Sequence, residues 1–402
     1  MKFTQSIFAA AFAFAAAAAF AAPVTTQGVG VGKHGDIQVA VTFDNGKIQK
    51  IDILKNAENP VLAKKVFTDL KDQIVAANSV QLDGISGATF TSKGLFAAVE
   101  DAAKKAGVTL GQADKKALKA AVKDLPKDAS YDVVVIGAGG AGFSAAIEAK
   151  NAGATVVLLE KMPQVGGNSL ISGAEMNAAK NWVQPKLGIT DDSPELHAKD
   201  TYLGGDKKGD MKVINVMTHN ALAGAEWCRD YLGVRFEPDN LFFFGGHSRK
   251  RALIPVGHTG TEFITKFQAK ADELGIPVIT NMKAEELIKD KSGRVVGVKA
   301  TMNGAEYTFN AKGGVVLATG GFGANPAMVK KYNPKIDERF KTTDAPGTTG
   351  EALYMAQRAG AELVNMQYIQ TYPICDPISG VIELIADARF DGAIMLNQEG
   401  KR

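Results

Sequence analysis

Cysteine and tryptophan are the scarcest residues of this 402-residue chain, which has two of each. Cys228 and Cys375 are too few and too far apart to form a cysteine metal framework or the Cys-x-x-Cys-His sequence that attaches haem. The sequence therefore predicts no metal site and no attached haem. Whether the two thiols form a disulfide stays open, because connectivity depends on geometry that a sequence does not give.

The chain also lacks an excess of charge of either sign. Its 46 basic and 43 acidic side chains give a formal net charge of +3. This balance argues against a nucleic-acid surface and against a polybasic membrane anchor, and it favours a small-molecule partner. The chain is long enough for two or three domains, and 46% of its residues are hydrophobic, which supplies ample core.

One long hydrophobic run stands out, and it lies at the start. Lys2 precedes an apolar, alanine-rich run from Ile7 to Phe20, and residues 19–21, Ala-Phe-Ala, form a small-x-small cleavage site. The run is short for a spanning helix, although a retained membrane anchor is the alternative. We expect residues 1–21 to be a signal peptide cleaved near Ala21, and the mature protein to be periplasmic, without stable membrane insertion.

A buried strand runs into a glycine-rich turn at residues 131–142. The four β-branched residues at 133–136 are typical of a strand covered on both faces. The turn reads Gly-x-Gly-x-x-Gly. In this pattern Gly137 permits the tight turn, Gly139 lets the backbone approach a pyrophosphate, and Gly142 lets the next helix pack closely. The free N–H groups at the start of that helix would face the phosphates.

Downstream features separate this turn from an ordinary structural one. A second apolar run ends in Glu160, 23 positions after Gly137, which is close to the spacing expected for a carboxylate on a ribose hydroxyl. Gly166 and Gly167 then offer backbone donors further along the sheet. Residues 314–322, Gly-Val-Val-Leu-Ala-Thr-Gly-Gly-Phe, supply another buried strand that ends in glycine. Together these features predict a dinucleotide site.

At these motifs the sequence resembles the FAD-binding fold of the fumarate reductase and succinate dehydrogenase flavoproteins, from about residue 131 to the end. The resemblance implies an α/β fold with a Rossmann-like FAD-binding domain, non-covalent FAD, and an inserted β-meander at 276–280, 294–301 and 305–309. A second flavin loop starts at Asp344, with Glu351-Ala352 where Asp-Gly is more usual. The implied FAD-binding residues are Gly137, Gly139, Gly140, Ala141, Gly142, Glu160, Lys161, Gly166, Gly167, Asn168, Ser169, Gly173, Ala174, Ala284, Thr319, Gly320 and Asp344.

The segment after the signal peptide predicts a small α+β domain. Residues 36–43 and 47–54 alternate with period two around an Asp-Asn-Gly turn, which is typical of a hairpin. Residues 83–89, Asp-Gly-Ile-Ser-Gly-Ala-Thr, precede a helix that Thr91 or Ser92 could cap. They also resemble the motif of FMN-binding domains in which FMN is attached through its phosphate. The resemblance implies a covalent phosphoester to Thr89, with Thr91 less favoured, and a flavin transferase as partner.

These motifs divide the chain into five predicted regions. They are a signal peptide at 1–21, an FMN-binding domain at 27–106, a linker at 107–130, an incomplete FAD-binding domain at 131–370 and the start of a substrate-capping domain at 371–402. Electrons would enter through FMN from a membrane-associated, quinol-oxidising donor. A basic patch is typical of a solvated face, and the resemblance places it near the substrate entrance; it contains His247, Arg249, Lys250, Arg251 and His258.

Two positions near the end indicate the substrate. Tyr372 stands where soluble fumarate reductases carry a histidine that helps bind a substrate carboxylate, and Ala386-Asp387 stands where they carry Thr-Glu. An unpaired Asp387 would repel a second carboxylate but suits an N–H donor. Tyr372 and Asp387 thus resemble the urocanate reductase variant of the family, which reduces an unsaturated carboxylate. The alternatives are a fumarate or other acrylate reductase, and a non-catalytic FMN electron carrier.

The resemblance also implies that part of the catalytic machinery lies beyond this chain. In the family the proton donor is an arginine that would fall past residue 402. We therefore expect no catalytic residue within the chain, an incomplete FAD-binding fold, and no turnover by this polypeptide alone.

Overall fold

The computed structural model describes residues 22–58, 63–82, 84, 85, 88–111, 125–372 and 392–402. The chain divides into two compact units, Met1–Lys123 and Asp124–Arg402. The predicted signal peptide, residues 112–124 of the predicted linker, and Asp387 lie outside the described residues.

The first unit contains a three-stranded antiparallel sheet in the order β1-β2-β3. Its strands are β1 (Val24–Val31), β2 (Asp36–Asp44) and β3 (Lys47–Lys55), and its helices are α1 (Lys71–Ala77) and α2 (Thr89–Lys105). A π-helical turn at Val66–Leu70 leads into α1. The predicted hairpin is confirmed, since β2 and β3 pair around residues 45 and 46.

Strand β1 was not predicted, and it depends on contact with α2. A Cβ at Gly28 would lie 1.9 Å from the Ala98 carbonyl oxygen, and one at Gly30 would lie 2.1 Å from that of Gly94. The two glycines therefore let the strand and the helix approach closely. Alternate residues of β2 fill the core beneath them, and each of these is at most 3% exposed: Ile37, Val39, Val41 and Phe43.

The second unit is built on a six-stranded sheet in the order β10-β11-β12-β4-β5-β9, with a separate three-stranded sheet in the order β6-β8-β7. Its strands are β4 (Asp128–Ile136), β5 (Val156–Leu159), β6 (Met176–Asn177), β7 (Phe236–Phe242), β8 (Ala252–Pro255), β9 (Val278–Ile279), β10 (Lys283–Lys289), β11 (Val295–Met302) and β12 (Ala305–Leu317). Its helices are α3 (Gly140–Asn151), α4 (Gly167–Ile171), α5 (Pro194–Gly204), α6 (Met211–Glu226), α7 (Thr261–Glu273), α8 (Pro326–Tyr332) and α9 (Glu351–Ala359).

Four strands of the large sheet run parallel. β12, β4, β5 and β9 pair in parallel, and β10, β11 and β12 form an antiparallel meander. The predicted α/β fold class is confirmed. The predicted meander is wrong in its first strand: β9, within 276–280, pairs in parallel with β5, and the meander begins instead with β10, which was not predicted. Because β4 and β5 are neighbours, their carboxyl ends place the glycine turn beside Glu160.

The last two predicted strands, one at 305–309 and one within 314–322, are wrong as separate elements. They form the single strand β12, whose register against β4 shifts between Ala311 and Gly314. A Cβ at Gly313 would lie 2.9 Å from the Asp132 carbonyl oxygen. The glycines thus allow a bulge where the strand passes β4, so the strand continues instead of ending.

Two of the predicted domain boundaries fall inside observed strands. β1 begins at Val24, ahead of residue 27, and β4 begins at Asp128, inside the predicted linker. No helix in the described part of the chain is long and apolar enough to cross a bilayer.

Candidate functional site

The glycine turn between β4 and α3 holds two glycines that the chain itself requires. Gly137 has a positive φ of 102°, and a Cβ there would lie 2.4 Å from the Ala318 carbonyl oxygen. A Cβ at Gly142 would lie 1.8 Å from the Gly137 carbonyl oxygen. The predicted residues Thr319 and Gly320 also lie against the turn, since a Cβ at Gly137 would be 3.1 Å from Thr319 Cα.

Gly139 differs, because the protein leaves space beside it. Its φ of −85° and ψ of −173° suit any residue, and the nearest protein atom to a Cβ there would be Ser169 Oγ at 3.6 Å. Packing within the chain therefore gives no reason for glycine here. A ligand that approaches the backbone closely does, and Gly139 is also the uncapped N-cap of α3, which starts with Gly140 and Ala141. The turn thus fits a pyrophosphate group.

Glu160 lies directly after β5, next to the turn. Its carboxylate accepts hydrogen bonds from the Ala138 N–H at 2.9 Å and from the Met162 N–H at 2.8 Å. The Met282 N–H donates to the Glu160 carbonyl oxygen at 2.9 Å, which brings the chain to within two residues of Ala284. The structure therefore gathers the predicted ribose acid, the turn and the segment before β10.

Helix α4 brings further predicted residues to the same turn. Ser169 Oγ accepts the Gly140 N–H at 3.1 Å, and the Gly166 N–H donates to the Ala138 carbonyl oxygen at 2.7 Å. Gly166 and Gly167 both have positive φ, as does Ala174, which follows Gly173. A left-handed alanine is uncommon, and such strained positions concentrate at functional sites.

The second predicted flavin loop is joined to the first by side chains. Asn168 Nδ2 donates to Asp344 Oδ1 at 2.5 Å, and Asn168 Oδ1 accepts the Ala345 N–H at 2.6 Å. Both Asn168 and Asp344 were predicted to bind FAD, but their direct contact was not. The two residues are 176 positions apart, so neither hydrophobic periodicity nor motif spacing in the sequence could predict their contact.

Lys161 makes a second link to this loop. Its Nζ donates to Thr349 Oγ1 at 2.5 Å and lies 2.9 Å from Glu351 Oε2, and Glu351 also accepts the Thr349 hydroxyl. Burial acts to raise the pKa of Glu351, but the hydrogen bonds from Thr349 and Lys161 outweigh it and lower that pKa to about 2. Glu351, the departure from the usual Asp-Gly, is thus an ion-pair partner that sequence reasoning missed.

In the first unit, α2 begins at Thr89. Its N-cap is Ala88, which makes no side-chain cap, so the prediction of Thr91 or Ser92 as N-cap is wrong. Both fall within the first turn and bond elsewhere, because Thr91 donates to Glu58 and Ser92 donates to the Ala88 carbonyl oxygen. The Thr91 hydroxyl is therefore occupied and buried.

Comparison with protein families decides the assignment. A model described as FAD binding domain matches residues 132–402, and one described as FMN-binding domain matches residues 32–104. The chain belongs to the FAD-binding domain family. The predicted resemblance to the FAD-binding flavoproteins is confirmed. The chain combines an FAD-binding domain and an FMN-binding domain.

Known relatives of this flavoprotein include reductases. It is 42% identical over 381 residues to the urocanate reductase of Eggerthella lenta, covering 93% of this chain and 62% of that protein. It is 31% identical over 438 residues to the NADH:acrylate oxidoreductase of Vibrio harveyi, covering 93% of this chain and 43% of that protein. The chain therefore spans less than two thirds of the length of either relative.

A solved structure gives the same picture of the fold. The open conformation of a flavocytochrome c3 fumarate reductase matches this flavoprotein with a TM-score of 0.63 and 32% sequence identity, covering 73% of this chain and 51% of that chain. This likeness and the family match confirm the predicted fold class.

The basic patch of this flavoprotein is not uniformly solvated. Arg251 is fully buried and forms ion pairs with Asp192 at 2.7 Å and with Asp200 at 2.8 Å. The expectation of a solvated face is wrong for Arg251, because two carboxylates that the sequence reading did not connect to it offset the cost of burying its charge. Its neighbour Arg249 fits the expectation, pairing with Asp191 at the surface.

Two histidines lie close to this buried cluster. Arg251 donates to His247 Nδ1 at 3.1 Å, which leaves the proton of a neutral His247 on Nε2. Burial and the charge of Arg251 lower the pKa of His247, and they lower the pKa of His197 to about 4. Both imidazoles are therefore neutral at pH 7.

Tyr372 ends the described segment before residue 373. Its hydroxyl oxygen is buried and has no hydrogen-bond partner among the residues that the structure describes. Asp387 lies outside them, so the predicted contact of these two side chains with one substrate stays a prediction.

Proposed function

We propose that this protein reduces the side-chain double bond of an α,β-unsaturated carboxylate, with urocanate as the substrate and dihydrourocanate as the product. The Tyr372 hydroxyl, which is buried and has no hydrogen-bond partner among the described residues, carries the proposal, because an unsatisfied buried O–H is costly unless a ligand pairs with it. The likeness to urocanate reductase supports the choice of substrate. Fumarate or another acrylate is the second candidate, which the likeness to NADH:acrylate oxidoreductase favours.

When bound and reduced by two electrons arriving through FMN, FAD would supply the hydride that adds to the β carbon of the substrate. A proton added to the α carbon completes the reduction of the double bond to a single bond. The chain's own residues bind and orient: the glycine turn receives the pyrophosphate, and Glu160 receives the ribose. Asp387 would accept a charge-assisted hydrogen bond from an imidazole N–H and repel a second carboxylate, which favours urocanate over fumarate.

We also propose that FMN is attached covalently to Thr89 and passes electrons from a membrane-associated, quinol-oxidising donor to FAD. In the attachment step the Thr89 oxygen forms a bond to the FMN phosphorus of a donor FAD, the pyrophosphate bond breaks, and AMP leaves. The threonine proton goes to a base of the flavin transferase, and no oxidation occurs. The occupied hydroxyl of Thr91 supports Thr89 as the acceptor.

Export is the remaining part of the proposal, with cleavage near Ala21 and a periplasmic location. The N-terminal sequence of the mature protein tests it, because an N-terminus that still carries residues 1–21 would contradict cleavage. Intact mass of wild type and Thr89→Ala, each coexpressed with a flavin transferase, tests the attachment. An unchanged adduct in Thr89→Ala would contradict Thr89 as the acceptor.

Substrate choice is tested on the purified flavoprotein loaded with FAD and FMN. The protein is reduced anaerobically, and its reoxidation by urocanate and by fumarate is compared. Tyr372→Phe removes one hydroxyl and is expected to lower kcat/KM for urocanate about tenfold or more. Tyr368→Phe is the matched control, since Tyr368 is 53% exposed. Faster reoxidation by fumarate would reject urocanate as the substrate.

A further inference from the structure

The Glu58 carboxylate ties together three separate segments of the first unit. It is 6% exposed, its Oε1 accepts the His34 N–H at 2.8 Å, and its Oε2 accepts the Thr91 hydroxyl. A Cβ at Gly32 would lie 2.4 Å from Glu58 Oε1, so the carboxylate packs directly on the backbone between β1 and β2. Glu58 thus connects this turn with the first turn of α2.

A second buried hydroxyl fixes the chain just before α2. Ser92 is fully buried, its Oγ accepts the Ile85 N–H at 2.9 Å, and it donates to the Ala88 carbonyl oxygen at 2.9 Å. The Ala88 N–H in turn donates to the Ile85 carbonyl oxygen at 3.0 Å. Residues 85, 88, 91 and 92 are therefore held on both sides of Thr89.

We propose that Glu58, acting through Thr91, is a positioning residue that directs flavin attachment to Thr89 and away from Thr91. This proposal rests on the covalent FMN proposed above. Thr91 is 4% exposed and its proton is donated to a carboxylate, so its oxygen cannot reach a phosphorus atom held by a transferase. The same bond fixes the backbone of the first turn of α2, which begins at Thr89, and a transfer to this turn depends on such positioning.

The hydrogen bonds of Glu58 stabilise this unit, and they also occupy one particular hydroxyl. In some proteins a buried polar contact selects one arrangement among several. Two threonines two positions apart in one motif present such a choice. The contact with Glu58 distinguishes them, since it occupies one hydroxyl.

The experiment follows FMN attachment with time in the full chain, coexpressed with a flavin transferase, by intact mass and peptide mapping. Thr91→Val removes the hydroxyl at nearly constant volume and is expected to slow attachment about tenfold or more, because a small misplacement of a reacting group costs that much. Thr91→Ser restores the hydroxyl and is expected to stay within about twofold of wild type. Thr42→Val is the matched control, since it removes a hydroxyl that bonds Thr25 at the other side of the same sheet.

The attachment site provides a second measurement. Thr89→Ala is expected to carry no adduct, whereas Thr89→Ala combined with Glu58→Ala is expected to carry some on Thr91, whose hydroxyl is then released. Rates are compared at a temperature at which circular dichroism shows every variant folded. Wild-type rates in Thr91→Val, or no adduct on Thr91 in the folded double variant, would overturn the positioning role.

The two proposals fail in different ways. A full adduct on Thr89→Ala at a site other than Thr91 would reject Thr89 as the acceptor. Loss of the adduct in Thr89→Ala together with normal attachment in Thr91→Val would leave the acceptor in place and reject only the role of Glu58.

Discussion

Asn168 in helix α4 and Asp344 in the second flavin loop lie 176 positions apart in the chain, and they form a 2.5 Å hydrogen bond. The same Asn168 carboxamide accepts the Ala345 N–H at 2.6 Å, so its two polar atoms are both matched to the second loop. A carboxamide fits here because it combines one donor and one acceptor. A carboxylate at position 168 would keep the acceptor and place a second negative charge against Asp344.

We therefore expect Asn168→Asp to weaken FAD binding about tenfold or more, since a hydrogen bond to a charged group contributes about 1.5–3 kcal/mol. The double variant Asn168→Asp/Asp344→Asn exchanges donor and acceptor and is expected to recover most of the affinity. Titration of the apoprotein with FAD measures both. Equal affinity in wild type and Asn168→Asp would show that this pair does not shape the site.

Gly139→Ala is expected to separate FAD binding from folding. The chain leaves 3.6 Å between a Cβ at this position and Ser169 Oγ, so the apoprotein should melt within about 2 °C of wild type. FAD affinity should fall about 5- to 150-fold, because the methyl group enters the space for the pyrophosphate and overpacking costs about 1–3 kcal/mol.

Gly142→Ala is the matched comparison for that prediction. Its Cβ would lie 1.8 Å from the Gly137 carbonyl oxygen, so the apoprotein itself should be destabilised. Wild-type FAD affinity in Gly139→Ala would contradict the placement of the pyrophosphate beside Gly139.

Arg251→Met is expected to lower the free energy of unfolding by about 3–5 kcal/mol, because it leaves Asp192 and Asp200 buried without their cation. Urea unfolding followed by tryptophan fluorescence reports on this unit, since Trp182 and Trp227 are the chain's two tryptophans. Arg249→Met is the matched control. It removes a surface partner of Asp191 and should cost at most about 1 kcal/mol. Similar losses of unfolding free energy in both variants would show that the buried ion pairs of Arg251 contribute no more than the surface pair of Arg249.

The ion pair of Lys161 with Glu351 predicts a pH dependence. The pKa of Glu351 falls from 4.5 to about 2 in the folded protein, so its contribution to stability is fully present above pH 4.5. That contribution is lost as the pH falls from 4.5 towards 2, because the unfolded chain takes up the proton first. The difference in melting temperature between wild type and Glu351→Gln should therefore be constant from pH 8 to about pH 5 and shrink below it.

The size of this difference should be small, about 1–3 °C, since the pair is partly exposed to solvent. Glu338→Gln serves as the control, because Glu338 is paired with Lys330 at the surface. If the difference in melting temperature between wild type and Glu351→Gln changed between pH 8 and 6, Glu351 would not be the group that titrates below pH 4.5.

The sequence by itself determined the elements whose signals are local. A run of β-branched residues before Gly137 predicted β4 and its glycine turn, because side chains buried on both faces of a parallel strand leave an unbroken apolar run. Period-two alternation around one tight turn predicted β2 and β3 for a similar reason. Glu160 followed from its fixed distance to the glycine turn.

The tertiary structure alone decided which distant side chains meet. Asn168 with Asp344, Lys161 with Glu351 and Thr91 with Glu58 are pairs between segments whose spacing in the chain has no period, so composition and pattern carry no trace of them. Arg251 shows the same limit more sharply. A cluster of basic residues ordinarily predicts an exposed surface. Arg251 is buried because the fold places Asp192 and Asp200, from another segment, against its guanidinium, and these ion pairs offset the cost of removing its charge from water.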